Sequence, residues 1–155
     1  REIECSVTGY SHPVAYPPGE VVPAGSHEFY DYDAKYTDPE GALLKVPADL
    51  PAGIAGEIRD LAVRAYRAVD AGGLARVDFL VDKDTGAIHL NEINTMPGSL
   101  AFYLWQEMGM TPADVVDELI RIAEAVHAEK RKTVYNYKTG LIAHAAAEGL
   151  KSIKK

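Results

Sequence analysis

The sequence has little of several features that would place a protein in a class at once. Among its 155 residues there is one cysteine, Cys5, so an internal disulfide is excluded and a reducing compartment is expected. No apolar run approaches the ~18 residues that cross a bilayer, and the amino terminus lacks a charged segment followed by an apolar one. We therefore expect a cytoplasmic protein with no membrane partner.

Several familiar catalytic motifs are also missing. The chain contains no GxGxxG or GxxxxGKS/T phosphate loop and no Gly-x-Ser-x-Gly nucleophile turn. Its histidines show no metal-ligand spacing, and period two puts His89 on the opposite face from Glu92, so a zinc site is not expected. A phosphate-binding glycine loop, if the protein uses one, lies outside this chain.

The bulk composition is that of an ordinary globular domain, with 47% hydrophobic and 25% charged residues. The formal net charge is -7, and the 16 Lys and Arg are scattered rather than clustered. Such a surface repels a phosphate backbone, so no nucleic-acid partner is expected. An acidic protein can still bind ATP through a metal ion.

The alternation of residues 2–7 predicts a strand with Ile3, Cys5 and Val7 on one face, paired with a second strand at residues 19–22. Residues 26–50 are rich in tyrosine and lack a regular period, which predicts a long functional loop. Helical spacing predicts two amphipathic helices, at residues 51–71 and from Thr111 onwards. The apolar positions expected to be buried are Ile54, Ile58, Leu61, Ala65 and Val69 in the first helix, and Val115, Val116, Leu119, Ile120, Ala123 and Val126 in the second. The fold class is therefore α+β, a mainly antiparallel sheet flanked by helices.

The segment between the helices reads as strand, turn, strand over residues 74–94. Period two puts Arg76 and Asp78 on one face of the first strand, and Glu92 and Asn94 on one face of the second. A five-residue loop sets Asp78 opposite Glu92, Arg76 opposite Asn94, and Asp82 opposite Ile88. A three-residue loop would set Asp78 opposite Leu90. Either register brings the carboxylates together.

Two like charges facing each other across a sheet are destabilising, and a cation is the simplest compensation. Asp78, Glu92 and the Asn94 amide would form a hard oxygen ligand set suited to Mg²⁺ that shares phosphate oxygens. Arg76 would add a fixed positive charge for phosphate. The spacing alone leaves open that all four are ordinary polar residues on the solvated face of a sheet.

Two segments closely resemble the signature of the D-alanine-D-alanine ligase family of the ATP-grasp superfamily. They are residues 73–79, GLARVDF, and residues 90–98, LNEINTMPG. Residues 28–36, EFYDYDAKY, are similar to the family's mobile omega loop, and residues 1–5, REIEC, to the strand leaving its nucleotide-binding hinge. The likeness implies a carboxy-terminal ATP-grasp catalytic domain over residues 1–131, followed by a basic extension at residues 132–155.

The resemblance implies roles for individual residues. Asp78, Glu92 and Asn94 would bind the Mg²⁺ of ATP, with Mn²⁺ as an alternative, and Arg76 would stabilise the transferred phosphoryl group. The Gly98 N-H would support an oxyanion, while Lys35 and Tyr36 would close over the site. The nucleotide would be bound by Glu2 at the ribose, by Phe29 and Leu90 at the adenine, and by Asn91.

The implied activity is ATP-dependent ligation of D-alanine or a similar amino acid, a step that supplies a peptidoglycan precursor dipeptide for cell wall biogenesis and cell shape. The family's first-substrate pocket and phosphate loop precede the segment matched by Arg1, so we expect a missing amino-terminal half and no turnover by this chain alone. A homodimer is a further expectation. An alternative is a nucleotide- and metal-binding module that is inactive alone.

One position departs from the family's pattern. Well-known members have Ser five positions after the Pro-Gly glycine, where it helps to bind the carboxylate of the second substrate, and here that position is Tyr103. A tyrosine hydroxyl reaches such a carboxylate only from further away, which would suit a different or larger amine acceptor. Equally, Tyr103 and Trp105 could simply pack in the core.

Overall fold

The computed structural model describes residues 1–23, 42–51, 53–136 and 140. The strands are β1 (Glu2–Gly9), β2 (Val14–Ala15), β3 (Gly19–Pro23), β4 (Ala42–Lys45), β5 (Gly73–Val81) and β6 (Ile88–Asn94). The helices are α1 (Ile54–Ala68), a 3₁₀ turn (Gly98–Ala101), α2 (Phe102–Gln106) and α3 (Pro112–Lys132).

The strands form one sheet in the order β4-β3-β1-β5-β6, with β2 paired to the far end of β1. Every pairing is antiparallel. The predicted α+β class, an antiparallel sheet flanked by helices, is confirmed, as is the pairing of the first strand with residues 19–22. β1 and β5 are neighbours at the centre of the sheet and pair over eight residues, from Glu2 opposite Leu80 to Gly9 opposite Gly73.

One face of the sheet is apolar and packs on α1. Ile3, Cys5 and Val7 are fully buried there, as their alternation predicted, and they join Val77 and Phe79 in the main core. Side chains of successive strand residues point to opposite faces, so the intervening residues of β1 and β5 all lie on the second face. That face carries the polar residues of the site.

Helix α1 is shorter than predicted, but most of its predicted apolar stripe faces the core, with Ile54, Leu61 and Ala65 partly buried against it. It begins at Ile54 and ends at Ala68, and its buried residues are Ile58, Ala62 and Tyr66. The sequence prediction named Val69 as buried, yet Val69 is 55% exposed. The sequence prediction did not include Tyr66, whose ring is buried while its hydroxyl donates a hydrogen bond to the Gly9 carbonyl at 2.8 Å.

The second face of the sheet is covered at one end by α2 and α3. Trp105 and Val115 are buried against Leu74, and the Trp105 ring meets Tyr16 edge to face at 4.5 Å between centroids. The Trp105 indole N-H donates to the Leu100 carbonyl at 3.2 Å. Trp105 is therefore a core residue, and it anchors the segment that follows the predicted metal strand.

Helix α3 begins where the sequence predicted, because Thr111 and Asp114 form a complete capping box around Pro112. Only one narrow stripe of the helix is buried, formed by Val115 and Ile122. The prediction that Val116, Ile120 and Ala123 are buried was wrong, since Val116 is 41% and Ile120 54% exposed. Only one row of side chains along the helix packs against the rest of the described chain. The apolar positions of the sequence form a wider stripe, so their period does not show which row is buried.

The predicted loop at residues 26–50 was wrong in its last part. Residues 42–45 form β4, which pairs with β3, and residues 24–41 lie outside the described part of the chain. Among the described residues, no helix is both long enough and apolar enough to cross a membrane.

Candidate functional site

The β5–β6 hairpin follows the register of the predicted five-residue loop only at the end away from the turn. Arg76 lies opposite Asn94 and Asp78 opposite Glu92, as the five-residue loop requires. Beyond Asp78 the register shifts, so that Phe79 pairs with Leu90 and Val81 with Ile88. The alternative of a three-residue loop, with Asp78 opposite Leu90, is therefore wrong, and so is the pairing of Asp82 with Ile88 that the five-residue loop predicted. The shift leaves Asn91 as the extra residue of a β-bulge.

The turn of the hairpin explains the extra residue. One carboxylate oxygen of Asp82 accepts hydrogen bonds from the backbone N-H of Asp84 at 3.0 Å and of Thr85 at 2.7 Å. These bonds lower the pKa of Asp82 and hold it in the turn instead of in the strand. The loop therefore spans residues 82–87, one residue more than the five-residue alternative, and the bulge at Asn91 restores the register at Glu92.

Arg76 and Asp78 form a bidentate ion pair at the centre of the site. Arg76 Nε donates to Asp78 Oδ1 at 2.8 Å, and Arg76 Nη2 donates to Asp78 Oδ2 at 2.7 Å. The Asp78 side chain is 1% exposed and that of Arg76 is 11% exposed. Such a planar fork fixes the orientation of the guanidinium.

Asn94 connects this pair to the second predicted carboxylate. Its amide Nδ2 donates to Asp78 Oδ2 at 2.9 Å and to Glu92 Oε1 at 3.2 Å. Glu92 is exposed, whereas Asn94 is half-buried. The three predicted metal ligands thus lie together on one face, with one carboxylate deep in the sheet and the other open to solvent.

Glu4 is a functional-site residue that the sequence prediction missed. It lies opposite Asp78 on β1, is 2% exposed, and its Oε1 is 3.3 Å from Arg76 Nε. Its Oε2 accepts a hydrogen bond from the Tyr103 hydroxyl at 2.5 Å. The alternation that buried Ile3 and Cys5 also placed Glu4 on the other face, and a carboxylate at the centre of a strand was the available signal.

Tyr103 reaches the same cluster from α2. Besides donating to Glu4, its hydroxyl oxygen accepts from Arg76 Nη1 at 3.3 Å. The sequence left open whether Tyr103 and Trp105 serve the site or pack in the core, and the structure gives a different answer for each residue. Trp105 packs in the core, whereas Tyr103 points its hydroxyl into the site. The hydroxyl has one proton to donate in a hydrogen bond, and Glu4 is the acceptor of that bond.

Burial decides the electrostatics of the cluster. It raises the pKa of Glu4, an effect that the Arg76 charge partly offsets. Burial also raises the pKa of Tyr103, and the nearby Glu4 charge raises it further. For Arg76, burial alone would lower the pKa, but the hydrogen bond to Asp78 and the charges of Glu4 and Asp78 raise it overall. Arg76 is therefore a permanent cation held between two buried carboxylates.

The bulge exchanges the faces of two residues near the turn. Leu90 pairs with Phe79 and lines a cavity against α1 with Leu61 and Ala65, so the structure does not bring it together with Asp78. His89 instead pairs with Leu80, on the face that carries Glu92, contrary to the period-two prediction. Leu80 is 47% exposed.

Leu80 also lies opposite Glu2 on β1. The exposed apolar side chain on the site face, next to the residue expected at the ribose, is therefore Leu80 and not Leu90. Asn91 is exposed at the bulge. Leu90 was assigned to the adenine by the family resemblance, and an unbroken strand would have put it on the face of Glu92. Nothing in the sequence marks the bulge itself.

The segment after β6 returns to the site through a left-handed turn. Ser99, Leu100 and Ala101 have φ of 50°, 49° and 51°, a conformation that costs roughly 1–2 kcal/mol per residue with a side chain. Gly98 is exposed and begins the turn, and added side-chain bulk there would meet nothing within 4 Å. Gly98 thus lies on a turn that runs between two members of the cluster, Asn94 and Tyr103. Phe29, Lys35 and Tyr36 lie outside the described residues.

The donor set fits a hard divalent cation. In the part of the chain described, no group of three or more His, Cys, Asp or Glu side chains is placed to hold a metal. A cation here would need Asp78, Glu92 and the Asn94 amide together with oxygen from a ligand, which is the set that Mg²⁺ prefers. The Asn94 NH₂ group bridges the two carboxylates, and a half-turn of the same amide would present its oxygen instead.

Comparison with known proteins gives a consistent result. The model of the family described as D-ala D-ala ligase C-terminus matches residues 1–121. A D-alanine--D-alanine ligase from Treponema denticola is 51% identical over 127 residues, which are 79% of this chain and 34% of that protein. The chain spans about a third of the length of the curated relatives it matches.

Solved structures agree with the sequence relatives. The D-alanine-D-alanine ligase from Coxiella burnetii is similar with a TM-score of 0.69 and 29% identity, covering 97% of this chain and 37% of that one. The VanG D-Ala:D-Ser ligase from Enterococcus faecalis is similar with a TM-score of 0.64 and 29% identity, covering 78% of this chain and 35% of that one.

Proposed function

This chain belongs to the family of D-ala D-ala ligase carboxy-terminal domains, and from that premise we propose that it supplies the metal- and phosphate-binding part of an ATP-dependent ligase. The ligase would join D-alanine to a second amino acid, with ATP as the energy source. The observation that supports this most strongly is the arrangement of Arg76, Asp78, Glu92 and Asn94 on one face of the hairpin.

Asp78, Glu92 and Asn94 would hold the Mg²⁺ of ATP, with Mn²⁺ as a substitute. The ion would neutralise phosphate charge and keep the reacting groups in line. Because Glu92 is exposed and Asp78 is buried, Glu92 would be the ligand that meets the incoming nucleotide. Asp78 would remain fixed by Arg76.

The proposed reaction transfers the γ-phosphoryl group of ATP to a carboxylate, which gives an acyl phosphate and ADP. The amine of the second substrate then attacks the acyl carbon, and phosphate leaves. Arg76 would stabilise negative charge on the transferred group, since its guanidinium is already oriented and needs no reorganisation. The backbone N-H of Gly98 would support the oxyanion formed during amine attack.

The nucleotide would lie along the same face of β1 and β5. Glu2 would bind the ribose hydroxyls, and the exposed Leu80 opposite it offers an apolar surface for the base. Asn91, on the bulge, would contact the nucleotide at the edge of this apolar surface. Phe29 would complete the adenine pocket, and Lys35 and Tyr36 would close over the phosphates.

The second substrate is where Tyr103 enters the proposal. Its hydroxyl donates to Glu4, so it lacks a proton to offer a substrate carboxylate in this arrangement. We therefore expect the second substrate to be positioned by contact with the Tyr103 ring and not by a hydrogen bond from its hydroxyl. The proposed class of second substrate is D-alanine or another small amine. The product would be a peptidoglycan precursor dipeptide, made in the cytoplasm where ATP is abundant.

The test uses a chimera in which this chain replaces the matching segment of the Treponema denticola relative. We expect ATP-dependent phosphate release that requires both D-alanine and Mg²⁺, measured by coupled assay, and no such release by the 155-residue chain alone. Dipeptide formation would be confirmed by mass spectrometry. A chimera that folds and binds ATP but forms no dipeptide with any D-amino acid would contradict the ligase function.

A second candidate is a nucleotide- and metal-binding module without turnover of its own. The open position of Glu92 favours it for the isolated chain, because a metal-nucleotide complex could reach the site without a covering domain. Titration of the chain alone with Mn²⁺ and ATP separates the two candidates: binding without hydrolysis in the chain, together with an inactive chimera, would support the module.

A further inference from the structure

Glu4 is a buried carboxylate whose two oxygens face different partners. Oε1 is 3.3 Å from Arg76 Nε, and Oε2 accepts the Tyr103 hydroxyl proton at 2.5 Å. At 2% exposure it has no open path to a ligand. A buried ionisable group in such a position is costly unless its partners satisfy it, so its contribution must come through Arg76 and Tyr103.

The Arg76 guanidinium is contacted by Asp78, Glu4 and Tyr103 together. Asp78 takes Nε and Nη2 in a bidentate pair, while Glu4 approaches Nε and the Tyr103 hydroxyl accepts from Nη1. The Asp78 pair fixes the plane of the guanidinium. Glu4 and Tyr103 add contacts at Nε and at Nη1, the nitrogen that Asp78 does not bind, so all three guanidinium nitrogens have a partner in the cluster.

We propose that Glu4 and Tyr103 act together as a positioning pair that holds the Arg76 guanidinium in place for phosphoryl transfer. The proposal rests on the proposed ligase function. The family's usual serine at this position helps to bind the second substrate. In this proposal Tyr103 has a positioning role instead, because its hydroxyl is directed at Glu4 and Arg76. Neither Glu4 nor the Tyr103 hydroxyl touches the reacting atoms.

Two substitutions separate the contacts of this pair. Glu4→Gln keeps an oxygen that can accept from Tyr103 but removes the charge facing Arg76. Tyr103→Phe keeps the ring and removes the hydroxyl. In the chimera defined above, we expect each to lower kcat by about 10- to 100-fold, because a misplaced catalytic group is costly in rate, while the KM for ATP changes less than about twofold.

The double variant tests the coupling. If the two residues act through the same guanidinium, Glu4→Gln with Tyr103→Phe lowers kcat no further than the worse single variant. Glu20→Gln is the matched control, since Glu20 also forms a bidentate pair with an arginine, Arg1, on the same sheet but lies outside the site. We expect its kcat to be unchanged.

An independent readout uses the full 155-residue chain and needs no activity. The Arg76 Nε-H proton is hydrogen-bonded in the buried cluster, so its NMR signal should exchange slowly with solvent. Both single variants are expected to speed that exchange by at least about tenfold. The Nε-H of Arg121, which pairs with Glu118 on the exposed face of α3, is the internal reference and should not change.

The outcomes are distinguishable. Unchanged Arg76 exchange in both variants, or an unchanged kcat in both, would overturn the positioning role, and so would a fall in kcat matched by an equal loss of folded protein. An inactive wild-type chimera would overturn the ligase function and with it the catalytic part of this proposal. Arg76 exchange would still decide whether Glu4 and Tyr103 hold the guanidinium.

Discussion

Asp78 and Glu92 face each other across the hairpin, yet the same mutation has a different meaning at each of them. Asp78 is 1% exposed and bound to Arg76 at two points. Removing it leaves a buried guanidinium with a lost partner, which costs about 3–5 kcal/mol. Glu92 is exposed, so it can be changed without disturbing the core, and it is the cleaner position at which to test the proposed metal site.

We predict that Glu92→Gln lowers the affinity of the 155-residue chain for Mn²⁺ by at least about tenfold, because a carboxylate ligand becomes neutral. The free energy of unfolding should change by less than about 0.5 kcal/mol. Electron paramagnetic resonance titration with Mn²⁺ and urea unfolding measure the two quantities. Glu124→Gln on α3 is the control. Equal Mn²⁺ affinity in wild type and Glu92→Gln would remove Glu92 from the ligand set.

Cys5 makes a prediction about pH. Burial raises the pKa of its thiol from 9.0 to about 12, so the folded chain keeps this proton at a pH where the unfolded chain loses it. Stability contributed by this group is therefore full below pH 9.0 and is lost as the pH rises towards 12.

The measurement compares wild type with Cys5→Ser, whose hydroxyl can still donate to the Tyr16 carbonyl as the thiol does but does not titrate. Urea unfolding at a series of pH values above 8 should show the free energy falling more steeply in wild type. Other titrating groups, such as Tyr66, are common to both proteins and cancel. Parallel curves would mean that Cys5 is not shielded from solvent.

At the scale of elements, the turn between β6 and α2 is the segment that departs most from ordinary geometry. Three consecutive residues with side chains lie in the left-handed region, and such local strain is concentrated at functional sites. The turn is held in place by the Trp105 indole and by the Tyr103 hydroxyl, which belong to the helix that follows. The packing of α2 therefore stabilises a backbone that the sequence of the turn does not favour.

Ser99 allows this strain to be tested, because it is exposed and has a φ of 50°. We predict that Ser99→Gly raises the free energy of unfolding by up to about 1 kcal/mol, since glycine adopts this conformation without steric cost. Ser99→Val should lower it, because a β-branched side chain tolerates the conformation least. Thermal unfolding of both variants gives the signs. Changes of the same sign would show that the left-handed turn is not strained.

The whole molecule is a sheet with protected central strands and less protected ends. β1 lies between β3 and β5, whereas β6 pairs with β5 alone among the described strands. The polar cluster spans this gradient, since Glu4 and Asp78 lie on the two central strands and Glu92 and Asn94 on the end strand. The buried half of the site thus lies on the two central strands, which are paired on both sides.

Hydrogen exchange of the 155-residue chain should reproduce that order. We predict that the slowest amides are those of β1 and β5, exchanging only on global unfolding, and that amides of β6 exchange through smaller openings. Exchange followed by mass spectrometry or NMR measures both sets. If peptides from β1 exchange as fast as those from β6, the sheet order described here is contradicted.

Much of the site was predictable because it depends on local periodicity. Alternation alone put Ile3 and Cys5 in the core and paired Arg76 and Asp78 on one strand, and the capping box at Thr111 marked the start of α3. The family signature then assigned a chemistry to residues that spacing left ambiguous. The position of Leu90 was not predictable, because the bulge at Asn91 depends on how the Asp82 turn satisfies its hydrogen bonds.

The sequence by itself determined the fold class, the family and the placement of Asp78, Glu92 and Asn94 on one face of the hairpin, because each depends on local periodicity or on a short motif. Only the tertiary structure decided that Glu4 belongs to the polar cluster and that Leu80, not Leu90, lies on the same face of the sheet as that cluster. It also decided that the Tyr103 hydroxyl donates its hydrogen bond to the Glu4 carboxylate, 99 residues away. Those facts depend on which strands become neighbours and on which side chains are buried together. Contacts of that kind arise from packing between distant segments, and no short stretch of sequence contains them.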